Sequence, residues 1–241
     1  NIRPAKTLPG VDTVFKDIDM VIFRENTQGF YIGQEHWLDE AHTQGESRGL
    51  VTRAASERLI RAAFDYARAH KRKKVTIVHK ANILKITTGL FLDVGRAIAE
   101  DYPDVLFEDK IVDNMAMQLV IKPQVYDVIA TTNLFGDILS DLASGLVGGL
   151  GLTGSANLGE GGAIFEAVHG SAPDIAGQGK ANPTALLFSA CMMLDHIGSA
   201  DIAGHIREAI YKTLPDKSVC TGDIGGKGST KSYADAVISR L

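Results

Sequence analysis

The chain has 241 residues, room for one large domain or two small ones, and its 45% hydrophobic and 22% charged residues exclude a disordered chain. The balance of 25 basic and 29 acidic side chains gives a net charge of −4 with no strongly basic segment, which argues against a nucleic-acid partner. No apolar run approaches the ~20 residues that cross a bilayer, and Cys191 and Cys220 are too few for a disulfide scaffold, so no membrane partner and a reducing, cytoplasmic setting are expected.

The chain opens on Asn1, and Asn1–Pro9 shows neither a helical nor a strand period. Asp19–Glu25 (DMVIFRE) reads as a short buried strand, and residues 26–51 as loops and hairpin arms. The clearest helix is Thr52–His70, where Ala55, Leu59, Ala63 and Ala67 recur every four residues. The basic run Lys71–Lys74 behind it suits a solvated helix end, where cations meet the negative pole of the dipole. Strands follow at Val75–His79, Val105–Ile111 and Tyr126–Thr131. Helices are expected at Leu90–Asp101, Met115–Ile121 (helix or turn) and Asp137–Val147. A short strand at Ile164–Val168 precedes a helix opened by Asn182 and Pro183 and ending near Gly198, and Asp201–Leu214 is a further amphipathic helix. Alternating strands and helices define an α/β class with substantial parallel pairing.

The sharpest local pattern is NLFGDILSDLASGL, Asn133–Leu146, directly after the strand YDVIAT. Asp137 and Asp141 are four residues apart, so on a helix their carboxylates share a face. Like charges so placed repel unless a cation such as Mg²⁺ or Mn²⁺ neutralises them, and a solvated acidic face is the alternative. Lys80 ends the strand VTIVH and is either a base with a lowered pKa or an ordinary surface lysine. Arg24 ends another strand and offers a cation to a carboxylate; Tyr31 lies between Gly29 and Gly33 and is a packing residue or, facing the same cleft, a proton donor. Glu160–Pro183 crowds Gly, Pro, His, Asp and Asn into a segment too irregular for one element, which points to ligand contact. Gly149–Gly154 matches G-x-G-x-x-G with Asp174 20 residues on, but a helical pattern precedes it and SANLGEGG follows, so it is not a Rossmann turn.

Taken together, these segments resemble the metal-dependent, decarboxylating β-hydroxyacid dehydrogenases, the family of isocitrate, homoisocitrate and 3-isopropylmalate dehydrogenases. NLFGDILSDLASG and HGSAPDIAGQGKANPTA carry the resemblance, and RENTQGFYIG, VHKANILKITTGLF and VDNMAMQL extend it in the family's order. HKANILK followed by TTGLF is most similar to NAD-dependent isocitrate dehydrogenase, with homoisocitrate dehydrogenase second and 3-isopropylmalate dehydrogenase third. The resemblance implies the family's two-domain α/β fold without the front part of the large domain: residues 1–147 as the small domain and 148–241 as the C-terminal half of the large one. It also implies that this length alone is a poor enzyme, and it leaves open a regulatory, non-catalytic subunit.

The same resemblance assigns roles. Arg3 and Arg24 would bind carboxylates of a small hydroxy-acid substrate. Tyr31 and Lys80 would move protons. Asp137 and Asp141 would hold Mg²⁺ or Mn²⁺, with Asp113 completing the site from the partner subunit of a homodimer, where Lys80 also reaches. His169, Gly170, Ala172, Asp174, Ile175 and Asn182 would hold the adenosine end of NAD, and Asn82 and Glu166 would lie near its nicotinamide. In a eukaryote the compartment would be the mitochondrial matrix.

Overall fold

The computed structural model describes all residues, 1–241. In chain order the elements are β1 (Ile2–Lys6), β2 (Asp19–Arg24), β3 (Glu35–Trp37), β4 (Gly45–Ser47), α1 (Arg53–Ala69), β5 (Lys74–His79), α2 (Thr87–Ala99), β6 (Leu106–Ile111), α3 (Val112–Ile121), β7 (Val128–Thr131) and α4 (Asn133–Leu146). After them come β8 (Gly154–Leu158), β9 (Ala163–Ala167), α5 (Thr184–His196), α6 (Ala200–Thr213) and α7 (Thr230–Ile238). No helix is long and apolar enough to cross a membrane.

The chain packs as two compact units, Asn1 with Met20–Ser140 and Ile2–Asp19 with Asp141–Leu241. The division therefore falls inside α4 rather than after residue 147, and residues 2–19 pack with the C-terminal part rather than with the segment that follows them.

In the first unit four strands run in the order β6-β5-β7-β2, every pair parallel. Parallel strands covered on both faces need apolar side chains throughout, and Met20–Phe23, Val75–Val78 and Val128–Thr131 are buried without alternation. α1 starts where the Thr52 hydroxyl accepts the Ala55 N–H, and it buries Leu59, Ile60, Ala63, Phe64 and Ala67. α2 approaches β5 closely because Gly95 has no side chain; a Cβ there would stand 3.0 Å from Ile77 Cγ1. β3 and β4 form a separate antiparallel hairpin.

The second unit is built on the antiparallel order β1-β8-β9. α5 lies against β8, and a Cβ on Gly154 would reach within 2.7 Å of the Ser189 backbone nitrogen. Val11, Leu152, Ile210, Leu214 and Tyr233 join in the core beneath α6 and α7.

Four differences from the sequence reading have physical causes. Ile2–Lys6 is a strand although Arg3, Pro4 and Lys6 erase its alternation; pairing with β8, Ile2 opposite Ala156, supplies what pattern does not. β8 has small and polar residues (GSANL) in place of β-branched ones, and its burial comes from α5 above it. α7 follows a capping box at Ser229 in which Ser232 returns the bond, a short-armed version of the usual Ser-to-Glu arrangement. α2, α3 and α4 each begin three or four residues earlier than the periodicity indicates, because their first turns carry Thr, Val-Asp-Asn or Asn-Leu-Phe-Gly rather than a full apolar stripe. The G-x-G-x-x-G segment forms a 3-10 turn at Leu150–Leu152 leading into β8, with no dinucleotide-binding helix behind it.

Candidate active site

β2 delivers Arg24 to the end of the parallel sheet beside the first turn of α4. The guanidinium is buried and held from one side. Its Nε donates to the Asn133 carbonyl oxygen and to Asn133 Oδ1, both at 3.1 Å, and its Nη2 donates to Oδ1 at 2.8 Å. Nη1 donates to Asp137 Oδ1 at 2.5 Å. Gly136 makes room for it: a Cβ there would lie 2.5 Å from Arg24 Cγ.

The loop after β2 is braced by Glu25, whose carboxylate accepts the backbone N–H of Thr27 at 2.9 Å and of Gln28 at 2.7 Å. Beyond it a 3-10 turn, Phe30–Ile32, is bounded by Gly29 at φ 78° and Gly33 at φ 65°, conformations that suit glycine. This turn aims Tyr31 at α4, where its hydroxyl donates to Asp137 Oδ2 at 2.8 Å and its ring stands 5.0 Å from the Arg24 guanidinium carbon. The Asp137 hydrogen bond, then burial and the carboxylate's charge, raise the Tyr31 pKa above its ordinary value; the Arg24 cation opposes them in part. Tyr31 is therefore a neutral phenol throughout the physiological range.

Asp141 lies one turn further along α4. In the second unit it forms an ion pair with Arg3 of β1 at 3.5 Å. α4 carries both carboxylates. The two side chains are partly open, 38% exposed for Asp137 and 53% for Asp141. This donor set suits a hard divalent cation, which takes carboxylate oxygens and keeps positions open for other ligands. No group of three or more His, Cys, Asp or Glu side chains converges within the chain. Asp113, at the start of α3, instead meets Lys80 Nζ at 3.0 Å, and that ammonium holds its carboxyl below the usual carboxylate range. Lys80 and Asp113, the two residues expected to act across a subunit boundary, form one pair.

The irregular segment 160–183 shapes the other candidate site. A cavity of about 510 Å³ in the second unit is lined by His169, Gly170, Ala172, Ile175 and Asn182, with Asp223 opposite. Ala172 adopts φ 42°, a left-handed conformation held ahead of the Pro173–Ile175 3-10 turn. Asn182 has a fixed amide orientation: Oδ1 accepts from the Thr184 N–H at 3.0 Å and hydroxyl at 2.6 Å, while Nδ2 donates to Asp223 Oδ2 at 3.0 Å. Asp174 is exposed on the 3-10 turn and does not line the cavity. Glu166 stands on β9 and accepts from Asn157 Nδ2 at 2.9 Å; Asn82 is exposed in the turn after β5, in the other unit.

Sequence reasoning missed three residues. Asn133 was legible only as part of a motif, although an Asn opening a helix beside a buried arginine is the natural acceptor. Gly136 left no trace beyond being a glycine inside a helical pattern, which itself hints at close approach. Asp223 lies in a stretch, Gly222–Gly226, whose only mark was its glycines.

The model of the isocitrate/isopropylmalate dehydrogenases matches residues 1–237, and the chain belongs to that family. It is 51% identical to the mitochondrial NAD isocitrate dehydrogenase subunit 2 of Kluyveromyces lactis, covering 100% of this chain and 66% of that protein. It is 49% identical to the 3-isopropylmalate dehydrogenase of Archaeoglobus fulgidus, covering 100% of this chain and 73% of that one. Among solved structures, an isocitrate dehydrogenase from Methylococcus capsulatus superposes with a TM-score of 0.96 at 54% identity, over 99% of this chain and 72% of that one. The chain thus spans about two thirds of the length of such relatives.

Proposed function

We propose that the chain carries the substrate, metal and cofactor groups of an NAD-dependent decarboxylating dehydrogenase acting on isocitrate. The observation that carries this reading is the Arg24–Asp137–Tyr31 cluster, which combines a carboxylate-binding cation, a cation-binding carboxylate and a neutral phenol.

Arg24 is held by Asn133 and Asp137 in a way that leaves one N–H on each of Nη1 and Nη2 for a substrate carboxylate, a fixed fork rather than a floating charge. Arg3 binds a second carboxylate. Asp137 and Asp141 hold Mg²⁺ or Mn²⁺, with Asp113 joining from the partner subunit. When bound, the cation supplies Lewis-acid stabilisation of negative charge growing on substrate oxygen. NAD would supply the hydride acceptor: His169, Gly170, Ala172, Ile175 and Asn182 of the cavity would hold its adenosine end, Asp174, exposed on the turn between the lining residues Ala172 and Ile175, would reach the ribose from outside the cavity, and Asn82 and Glu166 would serve the nicotinamide end. The C2 hydroxyl proton would leave through Lys80 with an aspartate or water relay as hydride departs. After CO₂ departs, Tyr31 donates its phenolic proton to carbon, and its raised pKa keeps that proton available.

Support for a homodimer with shared sites comes from α3. Met117, Val120 and Ile121, at helical spacing, are all exposed on the helix that begins beside Asp113. Tyr31, Lys80, Asp137 and Asp141 together favour a catalytic chain over a regulatory one, because a silent subunit has no chemical use for the whole set.

Homoisocitrate and 3-isopropylmalate are the competing substrates. An isocitrate/homoisocitrate dehydrogenase of Thermus thermophilus is 50% identical to this chain and the Archaeoglobus 3-isopropylmalate dehydrogenase 49%. The test is kcat/KM for the three hydroxy acids in the full-length protein, with each of NAD and NADP. Isocitrate with NAD should lead by at least ~10-fold. A lead for 3-isopropylmalate overturns the substrate, and absence of turnover with all three overturns the catalytic reading.

A further inference from the structure

His79 is the last residue of β5 and directly precedes Lys80. It is buried, and both ring nitrogens are engaged. The Ala81 backbone N–H donates to Nδ1 at 3.0 Å, and Nε2 lies 3.1 Å from Asp109 Oδ1 on β6. A backbone N–H can only donate, so Nδ1 is the unprotonated nitrogen, and Nε2 carries the hydrogen and donates it to Asp109. The Asp109 carboxylate is itself oriented, with Oδ2 3.7 Å from Arg96 Nη2 on α2. The ring is therefore neutral and in a single tautomer.

What this ring holds is the backbone of Lys80. On one side the Ala81 N–H is anchored to Nδ1. On the other the Lys80 N–H donates to the hydroxyl of buried Thr88 at 3.1 Å, and that hydroxyl donates onward to the Leu84 carbonyl oxygen at 3.1 Å. The Lys80 carbonyl oxygen accepts from the N–H groups of Ile83 at 3.0 Å and Leu84 at 2.8 Å. The peptide units on both sides of Lys80 are thus fixed, and its side chain extends from that fixed backbone to Asp113.

We infer that His79 is a positioning residue for Lys80, acting as a neutral Nε2–H imidazole whose Nδ1 fixes the turn and whose tautomer is set by Asp109. The inference rests on the reading of Lys80 as the group that takes the hydroxyl proton. A wrong tautomer would present N–H to N–H at Ala81, and the turn would have to move. A displacement of about 1 Å at a proton-transfer group costs on the order of 100-fold in rate.

The test compares His79→Asn and His79→Gln in the full-length protein. Asn places an oxygen where Nδ1 stands and can accept the N–H two residues on, as in an Asx turn. Gln reaches Asp109 but offers Ala81 nothing. His79→Asn should keep kcat within about 3-fold of wild type, while His79→Gln should lose ~10–100-fold in kcat with KM for the hydroxy acid little changed. Equal loss in both, or a worse Asn variant, overturns the inference. Nitrogen-15 NMR of the wild-type imidazole needs no variant: a neutral Nε2–H signature is expected at pH 7.5, and an Nδ1–H tautomer or an imidazolium overturns it. Lys80→Met, measured alongside, separates the two ways of failing. If it turns over normally, both the role of Lys80 and the inference fall. If it is inactive while His79→Gln is unimpaired, only the inference falls.

Discussion

The Tyr31 hydroxyl donates to Asp137 Oδ2 at 2.8 Å, while the other oxygen of the same carboxylate takes Arg24. One acidic side chain therefore fixes both the Arg24 guanidinium and the Tyr31 phenol. Because the hydrogen bond to Asp137 raises the phenol pKa above its ordinary value, ionisation of Tyr31 should cause no loss of activity around neutral pH. Tyr31→Phe keeps the ring and removes the proton. Overall turnover should fall, whereas reduction of the β-keto intermediate, which needs no carbon protonation, should persist. Equal loss in every partial reaction, measured by stopped-flow, contradicts this division.

Gly136 should resist substitution. Alanine in a helix interior ordinarily gains about 1 kcal/mol over glycine. At Gly136 the new Cβ would stand 2.5 Å from Arg24 Cγ and 3.2 Å from its Cα, so Arg24 would be displaced. Gly136→Ala should cost roughly 1–3 kcal/mol and raise KM for the hydroxy acid. Gly145, on the same helix, meets no atom within 4 Å, and Gly145→Ala should be neutral or stabilising by up to about 1 kcal/mol. Urea midpoints of the two variants decide the point.

Asp141→Asn removes one formal charge from the two carboxylates on α4 and should weaken Mn²⁺ binding by at least ~10-fold, read by electron paramagnetic resonance of free Mn²⁺. The Arg3 ion pair is lost with it, so Arg3→Gln, which loses the same ion pair but keeps both carboxylates, serves as the control.

The cofactor should be NAD. At the proposed ribose position a carboxylate such as Asp174 would accept hydrogen bonds from ribose hydroxyls and repel a 2′-phosphate. Asp174→Lys with Ile175→Tyr replaces the repulsion by a cation and a phenolic donor, and the ratio of kcat/KM for NAD over NADP should fall. A parent protein that already favours NADP removes Asp174 from the ribose site.

Tyr233 offers a prediction independent of activity. Its hydroxyl is buried without a hydrogen-bond partner, and burial pushes its pKa up to about 12; the neighbouring Thr184 hydroxyl, committed to Asn182 Oδ1, offsets this only in part. An unfolded tyrosine ionises near 10, so between about pH 10 and 12 the folded chain binds the extra proton and stability falls as pH rises. Tyr233→Phe should change stability by less than about 1 kcal/mol at pH 7 and become progressively the more stable form above pH 10. A constant gap between the two proteins at pH 7 and pH 10.5 contradicts this.

How much the sequence revealed depended on whether a residue's role was local. The four-residue spacing of Ala55, Leu59, Ala63 and Ala67 made α1 legible, and the same spacing put Asp137 and Asp141 on one helix. The segment after Glu160 announced a ligand loop by composition, and five of its expected residues do line one cavity. What stayed hidden was made by long-range contact. β1 and β8 are strands because they pair with each other, although neither alternates. Asn133 and Gly136 matter because Arg24, more than 100 residues earlier, comes to rest on them. The pairing of Lys80 with Asp113 joins the end of β5 to the start of α3, which no spacing rule could foretell.

The most direct measurement is the coupled yield of NADH and CO₂ from isocitrate by the full-length protein, with Mn²⁺ and with excess EDTA. The account predicts one CO₂ for each NADH when Mn²⁺ is present and neither product in EDTA. NADH without CO₂, or undiminished turnover in EDTA, would show that the carboxylates of α4 do not serve a metal-dependent oxidative decarboxylation.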